Sequence, residues 1–286
     1  MKISAQRSSP AAPTTIPKPL PRKLLPRIIE EQKLLLCLDY DGTLSEITTR
    51  PAAARPVPGV RRMLRALAAY PERITLAIIS GRDLATLRAL LRPEEGIWMA
   101  GSHGIDLVDP CGKRYSQHAS ARARAEIAKI RAWMKQQLRS REGFVIEDKR
   151  TAIALHYRNV KPAAAAVVRA ALRELVEARC PSVTILRGKM VDEFIPRGLG
   201  GKGAAVRKIQ KLVGQALIPV YIGDDTTDED AFRELCDDGV TIRVGSARRS
   251  WAQFRVASPI KVVAILGELL SKVDRTRGTK SSLRAG

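Results

Sequence analysis

The sequence predicts an α/β protein in which a parallel sheet is covered by helices on both faces and a smaller α+β unit is inserted. Three observations carry that expectation. Short, nearly all-apolar runs such as "KLLLCLD" and "RITLAIIS" alternate with helical patterns, as in parallel strands buried on both sides. Between residues 109 and 196 the rhythm changes to helix–strand–strand, used twice. After Gly200 the alternation of helix and strand resumes.

Each element follows from local pattern. "KLLLCLD" is a strand and "PGVRRMLRALAAY" a helix, with Pro58 near its first turn. "RITLAIIS" is a strand, "DLATLRALL" a helix, and "IWMAGSHG" a short strand ending in a loop. The inserted unit starts with the helix "ARAEIAKIRAWMKQQL", followed by strands in "FVIED" and "AIALHYR". A second helix, "AAAAVVRAALRELVEA", leads to "VTILRG" and "MVDEFIP". The final stretch reads as helix "GKGAAVRKIQKLV", strand "IPVYIG", helix "DEDAFRELC", strand "VTIRV" and a closing helix "VVAILGELLSKV". The Pro- and Ser-rich start, free of acids to residue 29, is expected to be a disordered or extended leader. Its prolines argue against an amphipathic targeting helix.

Composition narrows the function classes. An apolar fraction of 45% in 286 residues suffices for a sizeable core. No run approaches the ~20 apolar residues of a membrane span. The four cysteines form no C-x-x-C pair, so neither a zinc site nor a disulfide framework is expected, and a reducing cytoplasm is the simplest location. The net charge of +21 raises nucleic-acid binding. Yet much of the excess lies at the two ends, with no basic motif interleaved with aromatics there. A solvated basic surface that helps attract an anionic ligand is favoured.

In open α/β sheets, ligands bind beyond the carboxyl ends of strands. Four such ends carry polar clusters: Asp39-x-Asp41-Gly-Thr, Ser80-Gly-Arg82, a Gly-rich turn ending in Lys202, and Asp224-Asp225 followed by Asp228. Singly, each has a bland reading as turn, cap or solvated charge. Together they describe a phosphoryl-transfer site. Asp39, Asp224 and Asp228 offer hard oxygens for Mg²⁺, and Lys202 and Ser80 would hold phosphoryl oxygens. Asp39 is the candidate nucleophile, and Asp41, on the same side of the strand end, the candidate acid and base. Arg82, a cation just before a helix, is a candidate substrate-binding residue. His103 follows a core strand and is a candidate substrate contact, although a loop histidine satisfied by backbone fits its place equally well. His118 is expected on the surface, and Trp98, Trp133 and Trp251 in the core.

This set, D-x-D-G-T-L, a Ser after the second strand, a Lys at a helix start and G-D-D-x-x-D, resembles the haloacid-dehalogenase superfamily of phosphohydrolases. "AGSHG", "EDK…ALHYR", "GKMVDE" and "YIGDDTTDEDAF" narrow the resemblance to trehalose-6-phosphate phosphatases over roughly residues 33–270. The resemblance implies a Rossmann-like parallel-sheet core with an inserted α+β cap domain. The core would occupy 31–108 and 197–273 and the cap 109–196, between a leader at 1–30 and a basic tail at 274–286. It further implies that Glu147, Lys149 and Glu193 bind the sugar of trehalose 6-phosphate, and that Asp41 joins the metal through its main-chain carbonyl. Asp192 competes with Glu193, which keeps the G-K-x-V-x-E spacing. Functional pairing with a trehalose-6-phosphate synthase is also implied. The alternatives are a phosphatase for another sugar phosphate, such as a sucrose or mannosyl-glycerate phosphate, or a basic binding protein without turnover.

Overall fold

The computed structural model describes residues 13, 15–48, 53–92, 96–115, 117–149, 152–188, 190–214 and 216–282, from 276 onward as backbone only. The first half of the core contains β1 (Lys18–Pro19), α1 (Leu24–Glu31), β2 (Leu34–Leu38), α2 (Val60–Ala68) and β3 (Ile74–Ile79). It ends with α3 (Leu84–Leu91), β4 (Ile97–Gly101) and β5 (Asp106–Val108). A second sheet follows, built from α4 (Ala121–Gln137), β6 (Val145–Asp148), β7 (Ile153–His156), α5 (Pro162–Arg179), β8 (Val183–Gly188) and β9 (Val191–Pro196). The chain then returns through α6 (Lys202–Val213), β10 (Ile218–Gly223), α7 (Glu229–Glu234), β11 (Val240–Val244), β12 (Phe254–Val256) and α8 (Pro259–Ser282).

The large sheet has the order β1-β12-β11-β10-β2-β3-β4-β5 and is parallel except for β4 with β5. Because successive strand residues face opposite ways, β2 divides its side chains between two cores. Leu34, Leu36 and Leu38 join the face covered by α1, α2, α3 and α8, whereas Leu35 and Cys37 join the face covered by α6 and α7. All five are fully buried, which accounts for the unbroken apolar run. The small sheet, β6-β7-β9-β8, is antiparallel throughout, and α4 and α5 cover one of its faces. This is the arrangement expected from helix–strand–strand used twice.

Two expectations need correction, both at chain ends. The leader is expected to be disordered or extended over residues 1–30; its extended part, β1, pairs with β12, but from Leu24 it forms α1, which buries Leu25 and Ile29 in the main core. Residues 1–12 and 14 lie outside the described residues. The tail is expected from 274, but α8 continues to Ser282. A smaller shift concerns the insert. From Asp109 the chain first folds back along β5, with Tyr115 N–H donating to Leu107 O at 2.8 Å, and leaves the core at Ser120, the cap of α4.

Candidate active site

β2 is the central strand at the site, with β10 and β3 hydrogen-bonded on either side, so the loops after all three meet at one end of the sheet. The β2 loop carries Asp39, which is 4% exposed. Lys202, the first residue of α6, reaches across and donates to Asp39 Oδ1 at 2.8 Å and to Asp228 Oδ1 at 2.7 Å. Tyr221 O–H also donates to Asp228 Oδ1 and Asp225 N–H to its Oδ2, each at 2.8 Å, so Oδ2 accepts a single hydrogen bond. Burial works against the Lys202 ammonium, but Asp228 and Asp39 outweigh it and hold its pKa above the usual range.

Asp39, Asp224 and Asp228 offer carboxylate oxygens within 4.8 Å of one another. Asp224 Oδ1 is buried without a hydrogen-bond partner. Burial, with Asp228 and Asp225 adding to it, pushes the Asp224 carboxyl up to about 7. Lys202 is paired with two of the three carboxylates, Asp39 and Asp228, and an all-oxygen donor set with a vacant lone pair suits a hard divalent cation. Gly42, at φ +77°, is required beside it, because a Cβ there would collide with the Asp224 carboxylate.

Asp41 stands apart from this cluster. Arg82 donates to both of its oxygens, Nε to Oδ2 at 2.7 Å and Nη2 to Oδ1 at 2.6 Å. The guanidinium expected to face substrate is therefore engaged with the acid/base candidate. Ser80 is buried, and its Oγ accepts from Arg82 N–H at 3.2 Å, so its own proton remains to be donated.

The insert closes the other side of a cleft of about 550 Å³ lined by Asp39, Asp41, Ser80, Arg82, His103, Glu147, Lys149, Glu193, Lys202 and Asp224. Glu147, Ala154 and Glu193 are partners across β6, β7 and β9, so both carboxylates leave the same face. Lys149 donates to Glu193 Oε2 at 2.8 Å and to Gly81 O, in the core, at 2.9 Å. His103 Nε2 lies 3.0 Å from Glu193 Oε1, close enough for an ion pair though not aligned as a hydrogen bond. Burial raises the Glu193 carboxyl, but His103 and Lys149 together bring it well below the usual carboxylate range. His103 thus lines the cleft rather than being spent on backbone. Its ring packs where a Cβ on Gly81 would come within 2.7 Å. Asp192 points the other way, onto Arg169, which leaves Glu193 as the acid facing the cleft.

The sequence profile of the family described as trehalose-phosphatase matches residues 37–259. The chain belongs to that family. It is 38% identical over 248 residues to a trehalose-phosphate phosphatase of Mycobacterium ulcerans, covering 82% of this chain and 61% of the relative. It is 40% identical over 273 residues to an uncharacterized glycosyl hydrolase of Mycobacterium tuberculosis, covering 92% of this chain and 20% of that protein. The chain therefore spans less than two-thirds of the length of these curated relatives. The solved C-terminal domain of Candida albicans trehalose-6-phosphate phosphatase matches with a TM-score of 0.77 at 26% identity, over 89% of this chain and 98% of that domain.

Two further residues of the insert line the cleft, beyond those singled out in the sequence. His156 lines the cleft, and its Nε2 lies 2.8 Å from Glu147 Oε2. This hydrogen bond is the main reason the Glu147 carboxyl sits below its usual range. Arg158 also lines the cleft and donates to Thr48 O of the core at 2.8 Å. The partners of both residues come from elsewhere in the chain.

Proposed function

We propose that this chain hydrolyses trehalose 6-phosphate to trehalose and phosphate through an aspartyl-phosphate intermediate. The observation that carries the reading is one cleft joining the buried Asp39–Lys202–Asp228 network to the Glu147, Lys149 and Glu193 side chains of the insert. Its volume of about 550 Å³ lies within the range of small-molecule sites. Asp39 attacks phosphorus as the bond to the sugar oxygen breaks, and Lys202 offsets the carboxylate's charge. Asp41 gives a proton to the departing alkoxide and later takes one from the water that attacks the acyl phosphate. To hold that proton beforehand, Asp41 requires Arg82 to leave its carboxylate for the incoming phosphate. Mg²⁺ held by Asp39, Asp224 and Asp228, with the Asp41 main-chain carbonyl, would neutralise phosphoryl charge. The insert acts as a cap that reads the sugar and excludes water.

The test is phosphate release over a panel of sugar phosphates, with and without Mg²⁺. Trehalose 6-phosphate is expected to be turned over at least about tenfold more efficiently than sucrose or mannosyl-glycerate phosphates. Equal turnover across the panel would leave a phosphohydrolase without the trehalose assignment.

A further inference from the structure

Asp192 and Glu193 are adjacent acids on β9, and they face opposite sides of the small sheet. Asp192, 4% exposed, sits on the helix-covered side. Arg169 of α5 donates to it with Nε at 2.7 Å and Nη2 at 3.2 Å, and Tyr157 O–H donates at 3.3 Å. The Arg169 guanidinium is stacked 4.7 Å from the centre of the Tyr157 ring.

A one-residue slip of a strand moves every side chain to the other face. On β9 the apolar residues do not prevent it, because they occupy both faces. Phe194 packs under α4 and α5, and Ile195, pointing the other way, packs against Ile105 and Ala152. Slippage would send Asp192 toward Lys149 and His103 and bring Glu193 against Arg169, with charges still nominally paired. The difference lies in reach. The stacked pair of Arg169 and Tyr157 forms a short socket that fits an aspartate, whereas Glu193 needs its extra methylene to span Lys149 and His103.

We propose that Arg169 and Tyr157 form a register lock for β9 that determines which of two adjacent carboxylates enters the cleft. They are positioning residues for sugar selection, and this role rests on the function proposed above. Tyr157 fixes the strand's start as well, since its N–H donates to Met190 O at 3.1 Å.

The test compares Arg169→Met with the double variant Asp192→Leu/Arg169→Met, using trehalose 6-phosphate, p-nitrophenyl phosphate and amide hydrogen exchange. Arg169→Met leaves a buried carboxylate without its cation. It is expected to raise KM for the sugar phosphate by about tenfold or more while aryl phosphate turnover stays within about twofold. The amides of residues 191–196 exchange faster in this variant. The double variant replaces the pair by matched apolar groups and recovers both KM and exchange. Tyr157→Phe shifts KM the same way by less, which keeps the test open if Arg169→Met does not fold. Parallel loss on both substrates, or unaltered exchange, overturns the lock. So does a double variant that regains slow exchange but not KM, since Asp192 would then act on the sugar directly. Wild-type protein that ignores trehalose 6-phosphate defeats the functional reading instead, and the exchange comparison still decides the lock.

Discussion

Asp39 and Glu193 divide the proposed chemistry between them, one at the phosphorus and one at the sugar. Asp39→Asn keeps the volume and removes the charge, so it is expected to abolish phosphate release without lowering Tm. Measurable turnover in that variant would exclude the covalent route. Glu193 makes a pH-dependent contribution whose sign follows from its environment. Its carboxyl is held below the ordinary 4.5 in the folded protein, so the unfolded chain binds the proton more readily. The stability it adds is present above that value and is lost as pH falls below it. Glu193→Gln is therefore expected to lower Tm at about pH 7, and the gap to wild type is expected to have narrowed, without closing, by about pH 3. A gap that stays constant between those limits would show that Glu193 is not held as an ion by His103 and Lys149.

At the scale of elements, α1 shows how a segment outside the matched family region supports the fold. Leu25 and Ile29 are each 1% exposed and one helical turn apart, on a helix tied to α8 by Arg22–Glu268 and Lys272–Glu30 ion pairs. Leu25→Ala is expected to cost about 2–5 kcal/mol in chemical denaturation while leaving kcat unchanged. A loss below about 0.5 kcal/mol would mean that α1 is not part of the cooperative core. This helix was illegible in the sequence because Pro26 falls in its first turn and prolines crowd the chain before it. β1, β5 and β12 were missed for another reason: with two or three residues each, they carry no period of their own and exist only through neighbours. The long strands and helices were legible, because their apolar runs answer directly to two-sided burial. The grouping of Asp39, Lys202 and Asp228 was legible for the same reason, since an acid ending a buried strand has few bland explanations. What the sequence could not supply was partners. That Arg82 engages Asp41, or that Lys149 touches Gly81, depends on contacts made across the fold.

For the whole molecule, charge balance is the testable quantity. A cluster of three buried carboxylates with Lys202 between them is expected to be under repulsive stress until a divalent cation is present. Chelation should silence turnover, and Mg²⁺ should restore it while raising Tm with concentration, as for any ligand that binds the folded state alone. A Tm indifferent to Mg²⁺ would remove the cation from this cluster. Among the described residues, no helix is long and apolar enough to cross a membrane. The order of strands in the large sheet has a consequence for synthesis. Asp39 leaves the ribosome early, whereas Lys202, Asp224 and Asp228 follow only after the whole insert, and β10, the strand that leads to Asp224, pairs directly with β2. A chain cut in the loop after β9 would therefore carry half of its chemistry on each fragment. Neither fragment could work alone, and activity would return only by re-forming the seam between β2 and β10. Complementation of two inactive pieces would thus report sheet assembly by the appearance of phosphate.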